Sequence, residues 1–183
     1  MVAPMRHFAL SAVGRDRPGI VARVSQVLLG HGVNVEDSQM TILRGHFTMM
    51  LVLAAPDETS VEALRSELSD AGRELGLEAL LLSEVEDLDP ASQPVPTLMI
   101  TVYGADHPGI LHAVTGAMAE RGADITDLNT RLLTGDGDPV YALMMEVALP
   151  PDGDPTELEG DLAAVAQEQA VELSVRPLEA DEL

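Results

Sequence analysis

Two short stretches of this sequence carry residues able to do chemistry. Residues 14–20 read Gly14-Arg15-Asp16-Arg17-Pro18-Gly19-Ile20, and residues 104–110 read Gly104-Ala105-Asp106-His107-Pro108-Gly109-Ile110. Each follows an apolar run and precedes a helical pattern. Gly14 and Gly104 let the chain leave a strand sharply, with no Cβ to block a close approach. Pro18 and Pro108 suit the first turn of a helix, where a missing N–H costs nothing. Gly19 and Gly109 leave backbone amides accessible at the positive end of the helix dipole, a place for a carboxylate or phosphate. Asp16 and Asp106 add an acceptor for an ammonium group. Amides for a carboxylate, beside a carboxylate for an amine, suit an α-amino acid. The same residues also have a purely structural reading, because Asp ahead of a helix caps it and Pro-Gly is common at a helix start.

A second matched pair is Gly32-Val33-Asn34-Val35 and Gly122-Ala123-Asp124-Ile125. The strand beginning here is expected to emerge at the same end of the sheet as the first loop. Asn34 would then offer a donor and an acceptor to a bound backbone-like group; its structural alternative is a turn Asn after a helix.

Other constellations fail on spacing or type. His107 and His112 lie five apart, about 140° around a helix, so they share no face. His107 sits in the loop and is placed to touch a ligand there, or to lie on the surface. His7, His31 and His46 have no partner at ligand spacing. Asp136-Gly137-Asp138 and Asp152-Gly153-Asp154 resemble calcium loops for three residues only. Their sixth positions are Tyr141 and Glu157 instead of Gly, and their twelfth are Val147 and Ala163 instead of Glu, so both read as polar turns. No metal or cofactor is expected. The chain has no Cys and no Lys, which removes thiol nucleophiles, thiolate sites, Schiff bases and a phosphate-loop lysine. No nucleophile elbow or paired His-Ser-Asp set appears, so no enzyme is expected.

Charge narrows the partners further. Against 31 acidic residues stand 10 basic ones, all Arg, for a net charge of −21. Phosphate backbones and anionic membrane surfaces would be repelled, so direct nucleic-acid and membrane contact are not expected. Up to residue 90 there are 7 Arg and 14 acids; beyond it, 3 Arg and 17 acids. With Arg15 and Arg17 flanking the first loop, any anion recognition belongs there. The absence of Cys and of a leader-like segment suits a cytoplasmic protein.

The elements that must position these loops follow from a repeat. Residues 14–39 and 104–129 align at an offset of 90 with 8 identities in 26, where chance gives about two. Phe8–Val13 aligns with Leu98–Tyr103, and Phe47–Leu53 with Tyr141–Val147 after a drift in the Thr134–Pro139 turn. The chain is therefore expected to hold two copies of one unit: residues 1–87, a proline-bearing linker 88–96, and residues 97–183 with an acidic tail over 179–183. Within a unit the pattern is strand, helix, strand, strand, helix, strand. Residues 5–13 suit a strand. Ile20, Val24, Val27 and Leu28 fall at helical spacing, and Gly32 ends that helix. Strands are expected at 33–43 and 46–54 around an Arg44-Gly45 hairpin. A second helix bears Val61, Leu64, Leu68 and Leu75, and residues 77–86 close the unit. The second copy repeats this, with helices near 108–121 and 155–169. The expected class is α+β: two ferredoxin-like βαββαβ units, each an antiparallel sheet with both helices on one face. Met49-Met50 and Met144-Met145 fall on matching strands as core or interface fillers.

This layout, with its paired loop motifs, resembles the ACT domain family of amino-acid-sensing modules. A chain of two such modules and little else is similar to the glycine cleavage system transcriptional repressor type of tandem ACT protein. The resemblance covers nearly all of residues 5–178. It implies a small amino acid bound between modules by the strand-to-helix loop and the start of the second strand. That would gather Gly14, Asp16, Gly19, Ile20 and Asn34 in one site, and Gly104, Asp106, Gly109, Ile110 and Asp124 in the other. Asp124 departs from the family's usual Asn and would repel a ligand carboxylate. The function implied is regulatory: a small amino acid binds, and the signal passes to an unidentified protein partner, the chain itself being a possible homodimer. The alternative is a ligand-free interaction module that binds protein through its sheet or Met-bearing strands, its loops serving only as caps.

Overall fold

The structure, a computed structural model, describes residues 5–86, 92–134 and 139–178. Residues 88–91 of the expected linker, the Asp136-Gly137-Asp138 turn and the tail 179–183 lie outside the described residues. The chain divides into two compact units, residues 1–89 and 90–183.

The first unit runs β1 (Met5–Arg15), α1 (Ile20–Gly30), β2 (Asn34–Leu43), β3 (His46–Pro56), α2 (Val61–Leu75) and β4 (Leu77–Val85). The second repeats it as β5 (Leu98–Ala105), α3 (Ile110–Glu120), β6 (Asp124–Leu133), β7 (Val140–Ala148), α4 (Pro155–Glu168) and β8 (Val171–Pro177). Each sheet has four antiparallel strands, in the order β2-β3-β1-β4 and β6-β7-β5-β8. The expected α+β architecture is what the chain adopts.

Alternation along the strands sets the layers. In β1, Phe8, Leu10 and Ala12 are buried, and in β3, Phe47, Met49, Leu51 and Leu53. Ile20, Val24, Val27 and Leu28 of α1 and Leu64, Leu68 and Ala71 of α2 cover them, forming one core. In the second unit Ile100, Val102, Leu143, Met145 and Val147 meet Ile110, Val114 and Met118 of α3 and Leu158 and Leu162 of α4. The paired methionines split between layers. Met49 and Met145 are core, whereas Met50 and Met144 are exposed on the face away from the helices. β2 is an edge strand, and all ten of its residues are exposed.

Short-range chemistry ends the elements as the sequence suggests. Arg44 and Gly45, both at positive φ, form the two-residue turn that joins Leu43 to His46, the backbone sense that matches strand twist. At the end of α1 the Val33 N–H reaches the Leu28 carbonyl and the Gly32 N–H reaches that of Leu29. The same two bonds recur from Ala123 and Gly122 to Met118 and Ala119. These are the paired closing bonds of a helix terminated by a left-handed residue.

The α2 and α4 starts are capped by side chains. Ser60 accepts from the Ala63 N–H at 3.3 Å, and Asp154 accepts from the Thr156 N–H at 2.8 Å. The Asp152-Gly153-Asp154 stretch is thus a helix entry. Asp154→Ala is expected to cost about 1 kcal/mol of stability, read as a lower melting midpoint with the fold retained.

Candidate ligand-binding loops

The β1–α1 and β5–α3 loops start from opposite chemistry. Their N-cap residues are Gly19 and Gly109, at φ 96° and 111°, and neither helix start receives a side-chain cap. Neither first turn carries an acidic residue, whereas α2 and α4 have Glu62 and Glu157 there. The expected capping by Asp16 and Asp106 therefore does not occur. Both lie three residues ahead of the N-cap Gly, too early to reach the first helical amides. Pro18 and Pro108 are displaced likewise. They precede the N-cap instead of occupying the first helical turn, because the left-handed glycine postpones helical geometry to Ile20 and Ile110.

The first amides of α1 and α3 are left without intrahelical or side-chain partners, at the positive end of the helix. No Cβ stands over Gly19: an added methyl there would meet nothing within 4 Å. Asp16 is exposed, and among the described residues its carboxylate makes no hydrogen bond or ion pair. Its backbone N–H donates to the Gly45 carbonyl at 3.0 Å, which ties the loop to the β2–β3 hairpin. Ile20 and Ile110 are 2% and 1% exposed, so their side chains belong to the core and only their N–H groups face outward chemistry.

Gly14 and Gly104 have a different cause. A Cβ on Gly14 would lie 2.9 Å from Leu77 Cδ2 and 3.0 Å from Leu77 Cα. On Gly104 it would lie 2.6 Å from Val171 Cγ1. These glycines admit the neighbouring strand, β4 or β8, against the end of β1 or β5.

Asn34 and Asp124 are not brought to the loops within their own units. Asn34 pairs with Ala54, which pairs with His7 at the start of β1. The loop leaves β1 after Arg15, eight residues further on, so about 27 Å of sheet separates them. Asp124 pairs with Ala148, at the end of β7, while Ala105 beside the second loop pairs with Val140 at its start. The expectation that β2 emerges beside the loop is corrected by α1. This helix carries the chain back along the sheet, so β2 starts at the far end.

Sequence reasoning missed a basic side chain that braces each loop. Arg17 Nη2 donates to the Glu74 carbonyl at 2.8 Å. His107, the aligned residue, has Nε2 2.9 Å from the Gln169 carbonyl and Nδ1 3.2 Å from that of Pro108. Both far partners are carbonyls at the C-terminal end of the second helix of their unit, α2 or α4. The signal was the replacement of Arg17 by His107, two basic residues at equivalent places. Arg17 is thus committed to the fold, and Arg15 ends β1 opposite His46.

Among the described residues no group of three His, Asp or Glu is placed to hold a metal ion, and no helix is long and apolar enough to cross a membrane. Two hollows of about 380 and 400 Å³ lie away from the loops, on the helix-free sheet faces. Met50 and Val52 line the first, Met99 and Tyr103 the second. An amino acid held by backbone amides needs no enclosed cavity, so the loops stay the better candidate despite these hollows.

Two four-stranded βαββαβ units, each opening its first helix on uncapped amides, define a class. The chain belongs to the ACT domain family, whose model matches residues 6–80 and 96–176. ACT domains are regulatory small-molecule-binding modules. The UPF0237 protein MK1213 of Methanopyrus kandleri is 44% identical over 81 residues, 44% of this chain and 90% of that protein. The glycine cleavage system transcriptional repressor of Escherichia coli is 23% identical over 169 residues, 91% of this chain and 87% of that protein. The crystal structure of an unknown protein from Galdieria sulphuraria superposes with a TM-score of 0.79 at 27% identity, covering 96% of this chain and 100% of that one.

Proposed function

We propose that this protein is a regulatory sensor that binds a small amino acid at its β1–α1 and β5–α3 loops and signals to a protein partner. One observation carries the reading. The chain caps α2 and α4 with side chains and gives them first-turn carboxylates, and does neither at α1 and α3. The two uncapped starts are the two that bear the Gly-x-Asp-x-Pro-Gly motif. The free amides from Ile20 onward take the ligand carboxylate, and Asp16 takes its ammonium group. Gly109, the Ile110 amide and Asp106 act likewise in the second unit. Gly14 and Gly104 shape the loops by admitting the neighbouring strands. Asn34 or Asp124 would join a ligand only from outside its own unit. Signalling follows by linkage: a ligand that prefers one conformation of the protein shifts its population and the surface the partner meets.

The experiment is calorimetric titration of the purified protein with the twenty amino acids. Glycine comes first, since one relative aligned along most of this chain is named for glycine cleavage, and serine second. Saturable binding to one or a few small amino acids is expected. A flat panel from a folded, ligand-free sample would overturn the sensor.

A flat panel would favour the interaction module instead, for which the helix-free face of the first unit speaks. Val13, Met50, Leu81 and Val85 are exposed there, Leu81 at 62% and Met50 at 53%.

A further inference from the structure

Arg17 and His107 hold the same place in the two units and perform the same contact with different chemistry. Each leaves the candidate ligand loop two residues before the N-cap Gly and reaches a carbonyl at the C-terminal end of the second helix. The last carbonyls of a helix lack intrahelical partners and form the negative end of its dipole, so a cation there is favoured. An Arg is charged at every physiological pH, whereas a His is not. We propose that Arg17 and His107 are positioning residues that latch the two ligand loops, and that the second latch alone weakens as pH rises through the neutral range.

The geometry at His107 supplies the switch. Both ring nitrogens face carbonyl oxygens, at 2.9 and 3.2 Å. A carbonyl only accepts, so both contacts are hydrogen bonds only when both nitrogens carry protons. The neutral ring keeps one N–H, which still reaches the Gln169 carbonyl, but it loses the contact to Pro108 and the charge that strengthens the bond it keeps. Among the charged groups, Asp106 on its own loop acts on the ring and favours the cation. The neighbouring elements also carry Glu168 at the end of α4, Glu172 near the start of β8 and His112 in the first turn of α3, and none of these three is among the groups that shift the ring.

The Gln169 carbonyl first, then that of Pro108 and the Asp106 charge, raise the His107 pKa above the ordinary 6.5. The sign follows by linkage. A folded-state pKa raised above the unfolded one gives stabilisation that is complete below about 6.5 and lost as pH climbs through the raised value. The second loop is then held more firmly in mildly acid solution than in alkaline solution, while the first is held equally throughout. A consequence for binding, that the second site weakens with rising pH and the first does not, rests on the sensor reading. The latch does not.

The test uses the full-length protein without ligand. NMR gives the titration of the His107 ring. Amide hydrogen exchange from pH 5.5 to 9, corrected for intrinsic rates, reports the hydrogen-bonded amides at the helix ends that the latches grip, Gly76 in the first unit and Gln169 and Ala170 in the second. The ring is expected to titrate above 6.5. Protection at Gln169 and Ala170 should drop several-fold across that transition while that at Gly76 stays flat. His107→Arg should make the second helix end flat and protected, and His107→Ala flat and unprotected. A ring that titrates at or below 6.5, or a second-unit profile unchanged in His107→Arg, would overturn the latch. Absence of amino-acid binding would leave it standing, so the two failures are distinguishable.

Discussion

Asp16→Ala is expected to lower the protein's amino-acid affinity at the first loop by about ten- to a hundredfold with no change in melting temperature. The magnitude is that of a charge-assisted hydrogen bond, about 1.5–3 kcal/mol. The unchanged stability is the discriminating half. Asp16 caps nothing and its side chain has no partner among the described residues, so its loss leaves the folded state intact. A helix cap in its place would have cost about 1 kcal/mol, as at Asp154. Calorimetry and a thermal melt on the same sample decide it. Unaltered affinity would remove Asp16 from the site, and a lowered melting temperature would give it a structural role that the structure does not contain. Asn34→Ala is the internal comparison. It lies at the other end of its sheet, so any loss of binding there would require a site completed from outside the unit.

Gly104→Ala is expected to destabilise the second unit by about 1–3 kcal/mol, and to do so more than Gly14→Ala does the first. The added carbon would sit 2.6 Å from Val171 Cγ1, with Val171 Cβ at 3.1 Å and Cα at 3.2 Å behind it. A β-branched side chain has little χ1 freedom to yield, so β5 and β8 must separate. At Gly14 the nearest atom is the tip of Leu77, which can swing aside, although Leu77 Cα at 3.0 Å limits the relief. For a unit of this size each kcal/mol shifts the midpoint by roughly 4–8 °C. Differential scanning calorimetry of both variants measures it. Equal losses, or none, would show that the strand approach is more compliant than the geometry implies.

The fold was largely legible because its signals are local and doubled. Arg44-Gly45 between two apolar runs announces a hairpin by turn chemistry alone. The spacing of Ile20, Val24, Val27 and Leu28 announces a helix face, and the repeat confirms both in a second context. What escaped was non-local. Asp16 precedes a helix by a distance that suits a cap, and only the left-handed turn at Gly19 shows that the helix begins too late. Asn34 follows the loop closely in sequence, yet a helix traversing the sheet puts it at the opposite end. Gly14 and Gly104 fit a ligand motif as well as a strand contact, and nothing but the approach of Leu77 and Val171 separates the two. The loop braces are illegible for the same reason, since the carbonyls of Glu74 and Gln169 lie 57 and 62 residues away along the chain.

The pairing of β2 with β3 slips by one residue between Val35 and Asp37, and that of β6 with β7 slips between Ile125 and Asp127. Such a bulge reverses which side chains face the helices for the remainder of the strand. It recurs at the same step in both halves, where Asp37 and Asp127 are the same residue, Val35 and Ile125 are both β-branched, and only Glu36 and Thr126 differ in kind. The halves differ in side chains, as with Arg17 and His107, and agree in this irregularity of the backbone. Each half is thus the same frame carrying its own set of contacts, so a substitution in one loop can alter that half without disturbing the frame the two have in common.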